Sequence, residues 1–538
     1  MTTPLTAHDL AGPVIDAPAA LRLAPAAAEV VDLLRDESRM SAPGVASVAE
    51  PGTVDELRRV LRWHADRGHA VTISGARTGV AGGAVPEAAS HLVSVTRLRG
   101  VTTLDLATDP PTVTALAGTT LRELQTALAA RAAGWTLPLD PTEAGASVGG
   151  MVATNAAGSR AYRFGATRDW VTGLTVELAS GRTLELQRGR DRADGDAVML
   201  DDGGDADARR TAHLPAIPKP HTKNSIGYGF APDGDVLDLF IGSEGTLGVV
   251  SSVTFRLMRV DEQRLTFLQC FATPAQAFTL VEALRGDAAL RTTAIEFLDA
   301  RSHALARETG RPEVLRVLQH APPGSCSVFA EFGYDDEPAP GAAFAATPAT
   351  RPQIGLETTV ERVLAHVAAA GGDEDAGLAG LDEQSLHDIR AFRHAVPERI
   401  NATIAARREQ HPTLHKLATD MAVEDHDLRW VFDLYETRLT AAGLDHAIFG
   451  HVGNNHFHVN ILPADDAELQ RAKAIYAEFA PAIVARGGCV SAEHGIGRIK
   501  KHFLPVQYKA ATLEAMRAAK RWLDPEWRLN RGVLIDPA

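Results

Sequence analysis

Hydrophobic positions recur along this chain in two rhythms. A 3.6-residue period predicts a helix from Thr53, where Leu57, Val60 and Leu61 share a face behind Thr53 and Glu56 at the capping-box positions. A second helix is predicted at 119–133, with Leu121, Leu124 and Leu128 inward. Short β-branched runs predict strands at 46–50, 70–73, 91–95 and 112–116. Residues 19–35, rich in Ala, Leu and Val with a helical period, predict a helix ahead of the first domain. After residue 261, strands at 266–271, 293–298 and 326–332 alternate with a helix at 274–285, the pattern of an antiparallel sheet with helices on one face. Three stretches break both rhythms and predict solvated loops: 188–210, mixed in charge, 337–354, rich in Pro and Ala, and 371–380.

Polar positions concentrate chemistry in a few places. Gly450-His451-Val452-Gly453-Asn454-Asn455-His456-Phe457-His458-Val459-Asn460 puts three imidazoles among small and amide residues, between apolar flanks. Further along, Ser491-Ala492-Glu493-His494-Gly495-Ile496-Gly497 offers a carboxylate and a fourth imidazole. Imidazole is both a common neutral metal ligand and the acid–base side chain suited to neutral pH. Two histidines and a carboxylate make a metal site with open positions, and another histidine remains as a base. On a strand His456 and His458 face the same way, so bare spacing selects them as the pair.

Two small-residue stretches suggest a ligand approached by backbone. Ser74-Gly75-Ala76-Arg77-Thr78-Gly79-Val80-Ala81-Gly82-Gly83 follows a strand, and its glycines permit positive φ and N–H groups close to an anion; a flexible turn is the alternative. Its spacing is neither the dinucleotide fingerprint nor a P-loop. In 145–159 almost every side chain is small. A tightly packed glycine helix is one reading, and backbone against a flat ligand, favoured by the preceding Pro138-Leu139-Asp140-Pro141, is the other.

At 538 residues the chain exceeds one ordinary core, and roughly two to four domains are expected. A net charge of -14 argues against general nucleic-acid binding, so an anionic substrate needs locally placed cations. Cys270, Cys326 and Cys489 form no C-x-x-C pair, which suits a reducing compartment and leaves no thiolate set for a cluster or structural zinc. The first residues lack a signal-peptide pattern and no run approaches the length of a spanning helix. A cytoplasmic location is expected, with peripheral contact at the inner face of the membrane left open.

In order along the chain, 75–83, 145–159, Arg163-Phe164-Gly165-Ala166-Thr167-Arg168-Asp169 and Phe240-Ile241-Gly242-Ser243-Glu244-Gly245-Thr246-Leu247-Gly248 resemble the FAD-binding domain of the vanillyl-alcohol oxidase/p-cresol methylhydroxylase superfamily. Lys223-Asn224-Ser225-Ile226-Gly227-Tyr228 resembles the segment that precedes the last of these. The segments 391–398, 415–423, 450–460 and 491–497 resemble the catalytic domain of FAD-linked D-2-hydroxy-acid dehydrogenases, so the resemblance runs from residue 47 to residue 534.

That resemblance implies an α+β fold. A helical segment at 1–41 precedes a two-part FAD-binding domain at 42–260; an antiparallel-sheet cap domain carrying the catalytic residues follows at 261–520, and a helical C-terminal segment at 521–538 returns to the FAD domain. The implied cofactor is FAD, contacted at Ser74, Gly75, Ala76, Arg77, Thr78, Gly79, Pro138, Asp140, Gly145, Ser147, Gly149, Thr154, Asn155, Gly158, Glu244, Gly245 and Asn530. It is expected to be noncovalent, because 75–83 contains no His or Cys to attach it. His451, His458 and Glu493 match ligands of a divalent metal, zinc before manganese. Arg393 and Lys416 match the cations that hold the substrate carboxylate, Asn460 lines the site, His494 matches the general base, and His456 is left as a supporting group.

The implied reaction is oxidation of a D-2-hydroxy acid to the 2-oxo acid by hydride transfer to flavin N5. D-lactate is the first choice; D-2-hydroxyglutarate, glycolate and bulkier acids are alternatives. A quinone, cytochrome or flavoprotein takes the electrons, and a homodimer is among the partners considered. Three positions depart from the family pattern: Asn454 stands for the usual Asp, Pro397 lies four residues after Arg393 where some relatives carry a hydroxyl, and Arg531 replaces Pro. The rivals are an oxidase of non-acid alcohols, a metal-dependent hydrolase, and a flavin-binding subunit without catalysis.

Overall fold

In a computed structural model, residues 18–88, 90–201, 210–260, 263–319, 321–335 and 354–537 are described. The helix Val54–Ala65 begins where Thr53 Oγ1 accepts the Glu56 N–H at 3.2 Å, and the Glu56 carboxylate reaches back to the N–H of Gly52. Leu57, Val60 and Leu61 bury its inner face against a four-stranded sheet. The strands run in the order Leu21–Leu23, Ser47–Ala49, His91–Ser94, Val71–Ser74, the last three parallel. Beside it, five antiparallel strands are ordered Val101–Asp105, Thr112–Leu116, Val249–Arg256, Val171–Glu177, Thr183–Gln187. The helix Leu121–Arg131, with a complete Thr120/Glu123 capping box, buries Leu121, Leu124 and Leu128 against that core. The short helix Val148–Thr154 then follows.

The rest of the chain centres on an eight-stranded antiparallel sheet. Its path is Gly377–Gly380, Gln263–Phe271, Cys326–Tyr334, Arg291–Leu298, His446–His451, His456–Ile461, Leu417–Ala418, with Met421–Ala422 also pairing to His456–Ile461. On one face Phe278, Phe297, Phe432 and Phe457 form an aromatic cluster with centroids 5.0–6.1 Å apart. On the other, Leu268, Leu298, Phe329 and Ala447 pack under the helices Ala300–Arg307, Pro312–Leu318 and Glu383–Arg407. Helices therefore cover both faces, where one face was expected. The reason is in the strand Arg291–Leu298, buried at every position and so in need of a cover on each side.

Three other expectations are corrected. No helix forms at 19–35: Leu21–Leu23 pairs with Ser47–Ala49, and two 3-10 turns, Ala27–Glu29 and Val31–Leu33, bring Val30 and Leu34 against Val48 and Leu92. Pro25 interrupts the segment, and neither turn has a side-chain cap, so strand pairing satisfies the backbone instead. Residues 371–380 hold a 3-10 turn and the edge strand Gly377–Gly380 rather than a loop alone. In 188–210, Ala197–Leu200 pairs with Arg210–His213 and buries Val198 and Leu200, while 202–209 lie outside the described residues. The loop expected at 337–354 lies outside them as well, except for Ile354.

The chain returns at its far end. After the helix Ala510–Leu523, Asn530 N–H donates to Val71 O at 2.9 Å and Val71 N–H donates to Arg528 O at 2.8 Å, which extends the first sheet. Among the described residues no helix is long and apolar enough to cross a membrane.

Candidate active site

The hairpin of His446–His451 and His456–Ile461 pairs His451 with His456 and Phe449 with His458. Ile448, Phe457 and Val459 belong to the aromatic-side core, whereas Ala447 belongs to the other. Period-two alternation then puts His451, His456, His458 and Asn460 together on the second face, with Glu296 of the neighbouring strand. The hairpin register thus adds His451 to the pair that strand parity had selected. Arg285 holds the intervening turn by donating to Val452 O and Asn455 Oδ1.

Glu493 faces this surface. Its Oε1 lies 3.4 Å from His451 Nε2 and its Oε2 lies 3.8 Å from His458 Nε2, and one donor atom from each of the three residues lies within 4.8 Å of the others. The far ring nitrogen of His451, Nδ1, is 3.1 Å from Glu296 Oε1, the kind of outer carboxylate that fixes a ligating imidazole. This donor set suits one divalent ion with positions left open. Burial pushes the His451 imidazole down, but the Glu493 carboxylate and the contact with Glu296 outweigh it and raise the pKa to about 9. Burial, reinforced by His456 and His451, holds His458 well below the usual value. Burial would raise Glu493, but His451 and Lys223 keep it well below the ordinary carboxylate range.

His494 stands beside this cluster, its ring stacked on His458 at 5.4 Å and 18°. Asp420, fully buried, faces His494 Nδ1 at 3.5 Å and accepts the backbone N–H groups of Glu493 and His494 at 3.1 and 3.0 Å. Ser491 Oγ and Lys500 Nζ donate to the same carboxylate at 2.7 and 2.6 Å. Burial lowers His494 to about 4 against the opposing pull of Asp420. His456 Nε2 lies 3.0 Å from Asp420 Oδ1, and burial lowers its pKa below the ordinary value against the pull of that carboxylate.

The expected substrate cations differ. Arg393 places Nε and Nη2 on Glu296 at 2.7 and 2.6 Å and lies over Phe329, so most of its fork is already matched. Lys416 has no hydrogen-bonding or carboxylate partner among the described residues. Asn460 donates to His458 O at 3.2 Å. Sequence reasoning did not assign site roles to Asp420, Glu296 or Lys223. A carboxylate flanked by apolar residues, as Glu296 is by Ala294-Ile295 and Phe297-Leu298, was the available signal.

The residues expected at the flavin divide into open backbone and committed side chains. Beyond Ser74, at the end of its strand, the N–H groups of Gly75, Arg77, Thr78 and Gly79 meet no acceptor among the described residues, and Arg77 has φ 62°. A Cβ on Gly75 would lie 2.6 Å from Ser147 Oγ, and one on Gly158 would lie 2.0 Å from Asp140 O, so both are close approaches that only glycine allows. Open amides on a tight loop fit the diphosphate of FAD. Gly149 packs on Ala117, Gly145 N–H caps onto Glu143, Pro138 is buried, and Thr154 Oγ1 donates to Gly150 O. Ser147 Oγ accepts the Ala76 N–H, Asp140 accepts from Ser159 and Arg160, and Asn155 bridges Asn224 and Arg168. Glu244 accepts the N–H groups of Ile496 and Gly497 at 2.8 Å each. Asn530 takes the Ile73 N–H at 2.6 Å and donates to Glu244 O at 2.6 Å, beside Gly245. These side chains bind the segments to one another, Glu244 tying the FAD-side turn to the loop of His494.

A second imidazole cluster, His64, His69 and His91, lies behind the first sheet. The rings of His69 and His91 stack at 3.9 Å and 12°. Lone pairs lie in the ring planes, so stacked rings do not converge on a shared ion and packing accounts for them.

Residues 45–187 match the domain family described as FAD binding domain, and residues 261–534 match FAD linked oxidases, C-terminal domain. Over 96% of this chain and 94% of the other, the fold is similar to a solved structure of p-cresol methylhydroxylase with substrate bound (TM-score 0.65, 14% identity). With the same two coverages it is similar to 4-ethylphenol oxidase from Gulosibacter chungangensis (TM-score 0.63, 16% identity). The architecture is therefore that of the p-cresol methylhydroxylase-type flavoproteins. In sequence the chain is 31% identical over 529 residues to a D-2-hydroxyglutarate dehydrogenase of Xanthomonas citri pv. viticola, covering 96% of this chain and 95% of that protein. It is 26% identical over 500 residues to a D-lactate dehydrogenase of Anaerostipes hadrus, covering 90% and 89%. The chain belongs to the FAD-linked D-2-hydroxy-acid dehydrogenase family.

Proposed function

We propose that the chain oxidises D-2-hydroxyglutarate to the 2-oxo acid, D-lactate being the second reading. The observation that carries the reaction class is the convergence of His451, His458 and Glu493 beside His494. The 31% identity to a D-2-hydroxyglutarate dehydrogenase supports the dicarboxylate, and the lower identity to a D-lactate dehydrogenase keeps the smaller acid as second choice. FAD, when bound, supplies the two-electron acceptor for the hydrogen on C2. A divalent ion at His451, His458 and Glu493 would supply Lewis acidity toward the substrate hydroxyl.

The chain's own groups do the rest. With Nδ1 turned to Asp420, His494 has Nε2, without a partner among the described residues, to take the hydroxyl proton. Lys416, with the unmatched part of Arg393, orients the carboxylate so that one enantiomer presents its C2 hydrogen to the flavin. Glu244 keeps the 494–497 turn against the FAD side, which fixes the distance between base and cofactor. The electrons leave to a quinone, cytochrome or flavoprotein.

The test is anaerobic reduction of the purified flavoprotein. D-2-hydroxyglutarate should bleach the flavin band faster than D-lactate, and the L-enantiomers should leave it unchanged. A chelator should abolish turnover without releasing FAD, and Zn²⁺ or Mn²⁺ should restore it. No bleaching by any D-2-hydroxy acid overturns the reaction, and full turnover in protein shown metal-free by elemental analysis overturns the metal assignment.

A further inference from the structure

Lys223 enters the ligand cluster from the FAD-binding part of the chain. Its side chain is 5% exposed, and its ammonium donates to Glu493 Oε1 and, at 3.0 Å, to the carbonyl of Gly158. His451 Nε2 approaches the same Glu493 oxygen at 3.4 Å. The ammonium of Lys223 therefore sits on one oxygen of the carboxylate that the ligand set would offer to a dication.

We propose that Lys223 is the counter-ion of the metal-free site and sets the metal affinity: it neutralises Glu493 when no ion is bound and opposes a divalent ion by its charge. The inference rests on the reading of His451, His458 and Glu493 as metal ligands. Two physical effects act in the same direction. A buried carboxylate stripped of its partner is strongly destabilising, so the empty site needs a cation of its own. Two positive charges a few ångströms apart, with little water between them, repel far more than they would in solvent, so the ammonium weakens the ion whether it stays or is displaced. The bond to Gly158 O anchors Lys223 in the small-residue stretch, so it cannot simply turn out to solvent. Had Lys223 only oriented Glu493 for the metal, its removal would loosen binding; as a competitor, its removal tightens binding.

The experiment compares FAD-loaded wild type with Lys223→Met and Lys223→Gln, the second of which removes the charge but keeps a donor toward Glu493. Zinc affinity is read by competition with a chromophoric chelator, and thermal unfolding is followed with and without zinc. Both variants should bind zinc at least about tenfold more tightly, the scale of effect typical for groups that touch a metal ligand. Their metal-free forms should unfold at lower temperature than metal-free wild type. If a variant folds only in the presence of zinc, the proposal is supported, and its zinc should then dissociate more slowly than that of wild type. Equal or weaker zinc binding in both variants overturns it. A wild type that takes up no more zinc than His451→Ala overturns the ligand reading itself, and this inference with it.

Discussion

Asp420 holds His494 twice, accepting its backbone N–H at 3.0 Å and facing its ring Nδ1 at 3.5 Å. The same carboxylate receives Lys500 Nζ and Ser491 Oγ, so one buried acid fixes both the position and the surroundings of the proposed base. Asp420→Asn would leave the Lys500 ammonium buried without its charge partner. Breaking a buried pair in this way costs about 3–5 kcal/mol, and denaturant unfolding should show a loss of that order. Turnover should fall along with stability; a variant of unchanged stability and activity would show that the carboxylate's charge is dispensable.

His494→Ala should lower kcat by about 10²–10⁴-fold while flavin content and unfolding stay near wild type. Lys416→Ala should mainly raise KM, because a carboxylate contact is made equally before and during the reaction. Steady-state kinetics separates the two. Near-normal kcat in His494→Ala, with loss in His456→Ala, would move the base to His456.

Arg393, proposed above to hold the substrate carboxylate, also donates to Glu296, which in turn meets His451 Nδ1. Arg393→Gln should therefore weaken metal binding by about 10–100-fold, as loss of outer-sphere support does, in addition to raising KM. Chelator competition reads the first effect. A change in KM alone would assign Arg393 to the substrate only.

Burial, with a smaller push from Arg307, lowers His303 to about 4 from 6.5, and its Nε2 meets Ser327 Oγ at 2.9 Å. A histidine depressed in the folded state lets the unfolded chain bind the extra proton first. Stability is therefore fully present above 6.5 and is lost as pH falls from there toward 4, by about 1.4 kcal/mol per pH unit from this residue. Denaturant unfolding at a series of pH values should show a shallower decline for His303→Gln than for wild type.

Acid precipitation should release all the flavin into the supernatant, since 75–83 offers no thiol or imidazole for attachment. Colour retained in the pellet would show a covalent link elsewhere.

The histidine hairpin was legible because strand parity and a short turn are local properties. Glu296, Asp420 and Lys223 were harder to read as site residues, for they reach the cluster from separate segments and each is a single charge whose role depends on long-range pairing. Glu296 stood out between apolar neighbours, but nothing nearby named its partners. The segment 19–35 misled for the opposite reason: its Ala and Leu spacing is helical, yet pairing Leu21–Leu23 to an existing sheet edge prevailed over weak propensity. Residues 371–380, rich in Gly, carry little β propensity, and Gly377–Gly380 is extended because Gln263–Phe271 offers it an edge.

Asn530 accepts from Ile73 across 457 residues of chain and donates to Glu244 across 286. At ribosomal rates of ~5–20 residues per second, the strand leading into the 74–79 loop waits roughly 20–90 s after its own synthesis for that bond. During that interval the loop of open amides lacks its brace. A chain whose synthesis stops before Asn530 therefore carries the loop without that brace.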